Sequence, residues 1–266
     1  MHSAALAELG LAPEWTYEAI EVTADDFAPF VAALPDRGFA GVNVTVPHKL
    51  AALSAADHAS EAARAIGAAN TLSFGDGEIA AENTDTAGIL DALPAAPAGM
   101  GALVLGAGGS ARAAIWALRE AGADVHVWNR TPEKAEALAR IFGVTHAASE
   151  SLSAGHFDLI LNATIVGLAG ANPTTPSGGQ PLVESGFAHL KALPIDADAL
   201  RARQVVVDLV YGSNDTELIA AARAAGASTV DGLEVLVRQG AAALRIWTGA
   251  EPPLETMRAA VRGTDG

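Results

Sequence analysis

The sequence predicts an α/β protein of two domains, and three observations carry that prediction. An apolar run, Leu103-Val104-Leu105, stops at a glycine cluster, Gly106-Ala107-Gly108-Gly109, and passes straight into an alanine-rich helical pattern beginning Ser110-Ala111-Arg112. A second strand pattern, Ala123 to Trp128, follows that helix at the spacing of a βαβ unit. Upstream of both, strand-like and helix-like segments already alternate, and Pro94-Ala95-Ala96-Pro97-Ala98-Gly99 separates them from the glycine turn as the most linker-like stretch of the chain.

The glycine turn has a chemical reading. Gly106 and Gly108 permit backbone angles that a Cβ obstructs and let a pyrophosphate approach the amides opening the next helix, while Ala111 fills the third small position of a dinucleotide fingerprint. The second strand ends in Asn129-Arg130-Thr131, where an Asp or Glu would bond the ribose 2′-hydroxyl of NAD. No carboxylate stands there. Arg130, with Lys134 one turn later, offers positive charge to a 2′-phosphate, so the predicted cofactor is NADP. Thr131-Pro132-Glu133 reads equally as a helix N-cap with proline at the first position, and the two readings are compatible.

Composition sets the bounds. At 266 residues and 50% hydrophobic content the chain can fill two small cores. No apolar run reaches the roughly 20 residues of a membrane helix, and no charged segment followed by an apolar one opens the chain, so the expected location is the cytoplasm. With 0 cysteines there is no disulfide framework and no thiolate, and the 7 histidines are scattered without ligand spacing, so no metal is expected. Acidic residues outnumber Lys plus Arg by 31 to 16, a net charge of −15 that repels nucleic acid and anionic membranes; neither is an expected partner. An anionic small molecule needs local cationic or hydroxyl groups to overcome the same field.

Taken in order, Met1 to Leu9 reads as a helix stopped by Gly10, Thr16 to Val22 alternates like a strand, Asp25 to Leu34 is helical, and Phe39 to Val46 is β-rich. Pro47 ends that run and opens a helix through Leu53, and Ala59 to Ile66 forms another that Gly67 ends. Asn70 to Phe74 and Glu78 to Glu82 flank Gly75-Asp76-Gly77, a hairpin signal, and Thr84 to Leu93 is helical. Beyond the Arg130 strand, Phe157 to Ala163 is a strand, Gly167 to Pro181 a long loop, and Val205 to Val210 a strand buried on both faces and interrupted by Asp208. Asp215 to Ala225 is a helix, Ser228 to Val230 the last strand, Leu233 to Trp247 a helix carrying Gln239, and a final helix follows Pro252-Pro253.

Three polar clusters stand at predicted strand ends before the glycine turn: Gly41 to Lys49, Gly67 to Thr71, and Asn83 to Gly88. Strand ends are where open α/β sheets bind ligands. Singly, Lys49 reads as a solvated helix residue, and Asn70, Asn83 and Asp85 as caps or turn residues. Beside a nicotinamide-binding half they read as a substrate site.

The runs Asn43-Val44-Thr45-Val46-Pro47-His48-Lys49, Ala69-Asn70-Thr71, Asn83-Thr84-Asp85, Gly106 to Arg112, Asn129-Arg130-Thr131, and Asp231-Gly232-Leu233 with Gln239-Gly240-Ala241 stand in family order, and along nearly its whole length the chain resembles the shikimate dehydrogenases. The resemblance implies NADP-dependent reversible reduction of 3-dehydroshikimate to shikimate in chorismate biosynthesis. It implies an α/β substrate domain of residues 1–85 plus 232–266 and a Rossmann-type NADP-binding domain of residues 86–231, flanking a cleft. Lys49 and Asp85 would be the catalytic pair on the substrate hydroxyl, with Lys49 either taking the proton or, as a cation, stabilising the developing alkoxide. Asn43, Thr45, Asn70, Tyr211 and Gln239 would meet the substrate, although Tyr211 reads equally as a core or lid aromatic. Gly106, Ala107, Gly108, Gly109, Ser110, Ala111, Asn129, Arg130, Thr131, Lys134, Ala163, Thr164 and Gly232 would hold NADP. Oligomeric state stays open, a homodimer included.

Three features depart from the family pattern. Its N-terminal strand and Ser-x-Ser segment, whose serines hold the substrate carboxylate, would stand just before Met1-His2, which sets the expectation that the native protein begins upstream. Thr164-Ile165-Val166-Gly167-Leu168 replaces the usual Thr-Pro-x-Gly-Met, and no proline follows Tyr211 within Gly212 to Asp215. The alternatives are a quinate/shikimate enzyme and a non-catalytic NADP-binding relative.

Overall fold

The computed structural model describes residues 1–149, 152–167, 190–212 and 215–263. The chain divides into two units, residues 1–92 with 233–266, and residues 93–232. The division falls after residue 92, so the helix that Asp85 opens stays whole in the first unit.

The first unit begins with α1 (His2–Glu8), α2 (Phe27–Ala33), β1 (Gly41–Asn43), α3 (Lys49–Ser54), β2 (His58–Ala59), α4 (Glu61–Ile66), β3 (Thr71–Gly75), β4 (Glu78–Glu82) and α5 (Asp85–Ala92). Its sheet has the order β1-β3-β4-β2, antiparallel except where β2 joins β4. Asp76 and Gly77, with φ of 53° and 80°, make the two-residue hairpin turn between β3 and β4 that the Asp-Gly pair predicts. Phe27, Val31, Val44, Ala52, Leu72 and Ala81 fill the core on this sheet.

Two expectations change here. Residues Thr16 to Val22 alternate like a strand but form none, because among the described residues no strand pairs with them; with residues 41–45 they line a cavity of about 150 Å³ instead. Alternation supplies a two-faced ribbon, but a ladder also needs a partner backbone. The helix expected from Pro47 starts at Lys49, since the His48 imidazole turns away from its helix to donate to the Val22 carbonyl at 3.0 Å and stack on Phe27.

The second unit alternates strand and helix: β5 (Gly101–Leu105), α6 (Gly109–Glu120), β6 (Asp124–Trp128), α7 (Pro132–Phe142), β7 (Thr145–His146), β8 (Leu159–Asn162), β9 (Val205–Asp208), α8 (Glu217–Ala224) and β10 (Ser228–Val230). All six strands are parallel in the order β10-β9-β8-β5-β6-β7, with β8 and β9 buried at every residue as continuous apolar runs require. The strand order reverses between β5 and β8, which makes their carboxyl ends the topological switch point of a doubly wound sheet. Of the loop expected from Gly167 to Pro181, residues 168 onward lie outside the described residues, as do Leu168, Ser213 and Asn214.

The chain then returns to the first unit as α9 (Gly232–Thr248) and α10 (Leu254–Arg262). Val237, Ala241, Leu244 and Met257 from these helices form a second core with Ala5 and Leu6 of α1. No helix among the described residues is long and apolar enough to cross a membrane.

Candidate active site

In the first unit, two helix starts and the approach to a strand bring three polar side chains together. Lys49 is the first residue of α3 and Asp85 the first of α5; Lys49 Nζ donates to Asp85 Oδ2 at 2.5 Å, with side-chain exposures of 10% and 12%. Asn70, just before β3 and 2% exposed, donates from Nδ2 to the other carboxylate oxygen at 2.8 Å. Its second N–H reaches Gln239 Oε1 at 3.2 Å, and its Oδ1 accepts from the Thr84 amide at 2.7 Å and from the Thr84 and Thr71 hydroxyls. The Asn70 amide thus has protein partners on both its nitrogen and its oxygen, and its bond to Oδ1 fixes the rotation of the Asp85 carboxylate. Gln239 reaches this cluster because α5 has a glycine where α9 crosses it: a Cβ on Gly88 would stand 2.7 Å from that of Gln239.

A carboxylate and an ammonium buried together stabilise each other only with further donors, which Asn70 supplies here. Removing either partner strands the other charge, a loss on the order of 3–5 kcal/mol in buried pairs.

Asn43 joins this cluster through Thr71, whose hydroxyl accepts from Asn43 Nδ2 at 3.3 Å. Thr45 is exposed and lines the same cavity as Asn43. A residue that sequence reasoning missed completes the set: the Tyr17 hydroxyl donates to Asn43 Oδ1 at 3.0 Å. Tyr17 in turn stacks on His2, with ring centroids 4.1 Å apart and planes within 10°. His2 is buried and bonded to the Gly240 carbonyl at 3.2 Å; burial drops its pKa to about 4. Tyr17 was legible only as one position in an alternating run, so nothing in its local pattern pointed toward Asn43, 26 residues away. Thr71 and Thr84 stood inside the polar clusters, at the start of a predicted strand and of a predicted helix, with no role of their own assigned. Tyr211 lies in the second unit, 50% exposed.

In the second unit, Gly106 follows β5 with φ of 118°, and a Cβ there would meet the Ala163 carbonyl oxygen at 2.9 Å, so the turn demands glycine twice over. Gly108 is the N-cap of α6 and brings no side chain to it, and no described atom approaches within 4 Å of the place a Cβ would take. Small residues around the opening amides of a 12-residue helix, at the switch point, fit a pyrophosphate. Gly109, Ser110 and Ala111 form the first turn of that helix, and Ala107 lies between the two glycines. At the end of β6, Asn129 Nδ2 donates to the Thr131 carbonyl at 3.0 Å, while Arg130 and Lys134 are exposed. Thr131 is the N-cap of α7 with proline at the first position, but its hydroxyl makes no capping bond, which corrects that part of the expectation. Thr164 turns inward, its amide and hydroxyl both donating to Asn162 Oδ1.

A doubly wound sheet with a glycine turn at its switch point, in one chain with a buried lysine–aspartate pair, defines the class of dinucleotide-dependent dehydrogenases. Family models narrow the class: residues 1–72 match the shikimate dehydrogenase substrate binding domain, residues 95–172 shikimate / quinate 5-dehydrogenase, and residues 232–262 the shikimate 5'-dehydrogenase C-terminal domain. A shikimate dehydrogenase (NADP(+)) of Acidiphilium cryptum is 42% identical over 244 residues, 90% of this chain and 82% of the relative. The Thermus thermophilus shikimate 5-dehydrogenase, solved in complex with NADP(H) and shikimate, superposes with a TM-score of 0.82 at 40% identity, covering 98% of this chain and 92% of that one. A 5-ketofructose reductase from a Gluconobacter species, solved ligand-free, gives a TM-score of 0.80 at 30% identity, covering 97% and 90%. The chain belongs to the shikimate dehydrogenase family.

Proposed function

We propose that this chain is an NADP-dependent oxidoreductase that interconverts 3-dehydroshikimate and shikimate, an activity of chorismate biosynthesis. The observation that carries the reading is the Lys49–Asp85 pair, buried, 2.5 Å apart and oriented by Asn70. NADP, when bound, supplies the hydride exchange. In the oxidation direction a carbinol hydroxyl must lose its proton as its carbon loses hydride, and Lys49 Nζ, steadied by Asp85, takes that proton or holds the developing alkoxide.

Substrate belongs with the first unit, where Asn43, Thr45 and Gln239 address its hydroxyls and carboxylate. Asn70 serves as a positioning residue for Asp85. NADP belongs with the second unit, its pyrophosphate on the turn Gly106 to Ala111 and its 2′-phosphate beside Asn129, Arg130, Thr131 and Lys134, with Ala163, Thr164 and Gly232 toward the nicotinamide. A cytoplasmic location and a homodimer complete the proposal; cell fractionation and light scattering read them.

Steady-state assays with shikimate and quinate, each against NADP and NAD, test the function. The largest kcat/KM is expected for shikimate with NADP. Equal use of NAD overturns the cofactor reading, preference for quinate the substrate reading, and binding of NADP without turnover of either acid the catalytic one.

A further inference from the structure

One carboxyl group of the second unit takes no part in the chemistry above. Asp208, the last residue of β9, is 0% exposed, and the donors it meets are neutral. Its Oδ1 accepts from Asn162 Nδ2 at 2.9 Å and from the Val210 amide at 3.1 Å, and its Oδ2 accepts from the Thr216 hydroxyl at 2.6 Å. Burial lifts its carboxyl above the usual carboxylate range against the pull of those three bonds. A buried acid without a counter-charge is an unfavourable group to keep unless its bonds do something an apolar side chain cannot.

Those bonds tie loops together. Asn162 closes β8 directly across from Asp208, is itself 0% exposed, and uses its whole amide: Nδ2 also reaches the Val166 carbonyl at 3.1 Å, while Oδ1 accepts from the Thr164 amide at 3.0 Å and its hydroxyl at 2.7 Å. Thr216 also accepts from the Ile219 amide, capping α8. The network thus fixes residues 163–167 after β8 and residues 209–210 after β9.

Both stretches are surfaces on which glycines seat. A Cβ at Gly106 would stand 2.9 Å from the Ala163 oxygen, one at Gly232 would stand 2.7 Å from the Leu209 oxygen and 2.8 Å from that of Val210, and one at Gly167 would stand 3.1 Å from Thr216 Cγ2. Backbone approaches this close leave no slack, so a shift of either loop displaces the glycine turn or residue 232.

We propose that Asn162, Asp208 and Thr216 are positioning residues for the dinucleotide site, holding the loops after β8 and β9 against Gly106 and Gly232 at the carboxyl end of the sheet. The proposal rests on the NADP reading and adds buried residues outside the set assigned to NADP above.

Titration calorimetry with NADP+ on the substrate-free protein tests it. Asp208→Ala is expected to raise the Kd for NADP+ about tenfold, the scale of one charged-group bonding set. Asp208→Asn should rescue binding to within about threefold, since its amide oxygen still accepts from Asn162 and Val210 and its NH2 donates to Thr216. The KM for shikimate should move less than about twofold in both, because the bonds lost lie in the second unit. Thr216→Val, close in volume, is expected to raise the Kd about threefold. An unchanged Kd in Thr216→Val or Asp208→Ala overturns the proposal, and the valine variant decides if the alanine one does not fold; so does a shikimate KM that rises in step with the Kd. Failure of the wild-type chain to bind NADP+ would sink the cofactor reading instead.

Discussion

Asp85 and Asp208 are both buried carboxyl groups at element boundaries, one opening α5 in the first unit and one closing β9 in the second. Asp85 has an ammonium at 2.5 Å and keeps 9% of its surface open, whereas Asp208 is sealed and, among the described residues, meets only amides and a hydroxyl. The difference separates two uses of one side chain. A compensated carboxylate with an opening to its surroundings can exchange a proton with a reactant through its partner. A sealed, uncompensated one can only hold geometry. Mutations around Asp85 should therefore be read in turnover, and mutations around Asp208 in cofactor affinity.

The largest effect should come from breaking the compensated pair. Lys49→Ala is expected to lower kcat by roughly 10²-fold or more with NADP affinity nearly unchanged, the scale of lost acid-base help. Asp85→Asn should cost about as much, and the double variant hardly more, because the two serve one proton path. Near-normal turnover of Lys49→Ala would remove the pair from the mechanism and erase the contrast with Asp208.

His2 extends the comparison to a buried group whose neutral form is the native one. Its folded pKa, about 4, lies below the 6.5 of an exposed imidazole, so as pH falls through that window the unfolded chain takes up the proton first. Stability is fully retained above pH 6.5 and declines toward pH 4, by about 3 kcal/mol in total. Urea unfolding of wild type and His2→Gln at pH 7 and pH 4.5 should show the glutamine variant losing visibly less; parallel losses would mean that other groups set the acid limit.

The second unit should answer in cofactor terms. Arg130→Ala is expected to raise the KM for NADP roughly tenfold while leaving that for NAD and for shikimate in place, the loss of a charge-assisted bond to a 2′-phosphate. A uniform rise for both dinucleotides would assign Arg130 to the pyrophosphate or to stability.

What the sequence made legible divides along the same line. The glycine turn, the helix it opens and the Arg130 strand end were readable because each is local: chain direction, spacing and residue type coincide within one βαβ unit. Lys49 and Asp85 were readable as chemistry-bearing types at strand ends, but the bond between them, 36 residues apart, came from the family pattern and then from the fold. Asp208 looked like an interruption in an apolar strand, because its partners arrive from distant parts of the chain, Asn162 from the end of β8 and Thr216 from the N-cap of α8. The Thr16 to Val22 strand failed for a related reason: its alternation was correct, and the pairing it needed is a tertiary fact.

Tyr17 gives the smallest and most selective test. Its hydroxyl is the group that points the Asn43 amide, since Asn43 Oδ1 accepts from it while Nδ2 donates to Thr71. Tyr17→Phe keeps the ring stacked on His2 and removes one neutral hydrogen bond, worth about 0.5–1.5 kcal/mol. If Asn43 addresses the substrate, that loss should appear as a rise of about three- to fivefold in the KM for shikimate, with kcat and the KM for NADP unchanged. A fall in kcat would instead mean that the Thr71 link carries the disturbance on to Asn70 and Asp85, and that the first unit works as one continuous network. With no change in any constant, the Tyr17–Asn43 bond would belong to folding alone, and Asn43 would have to be oriented by Thr71.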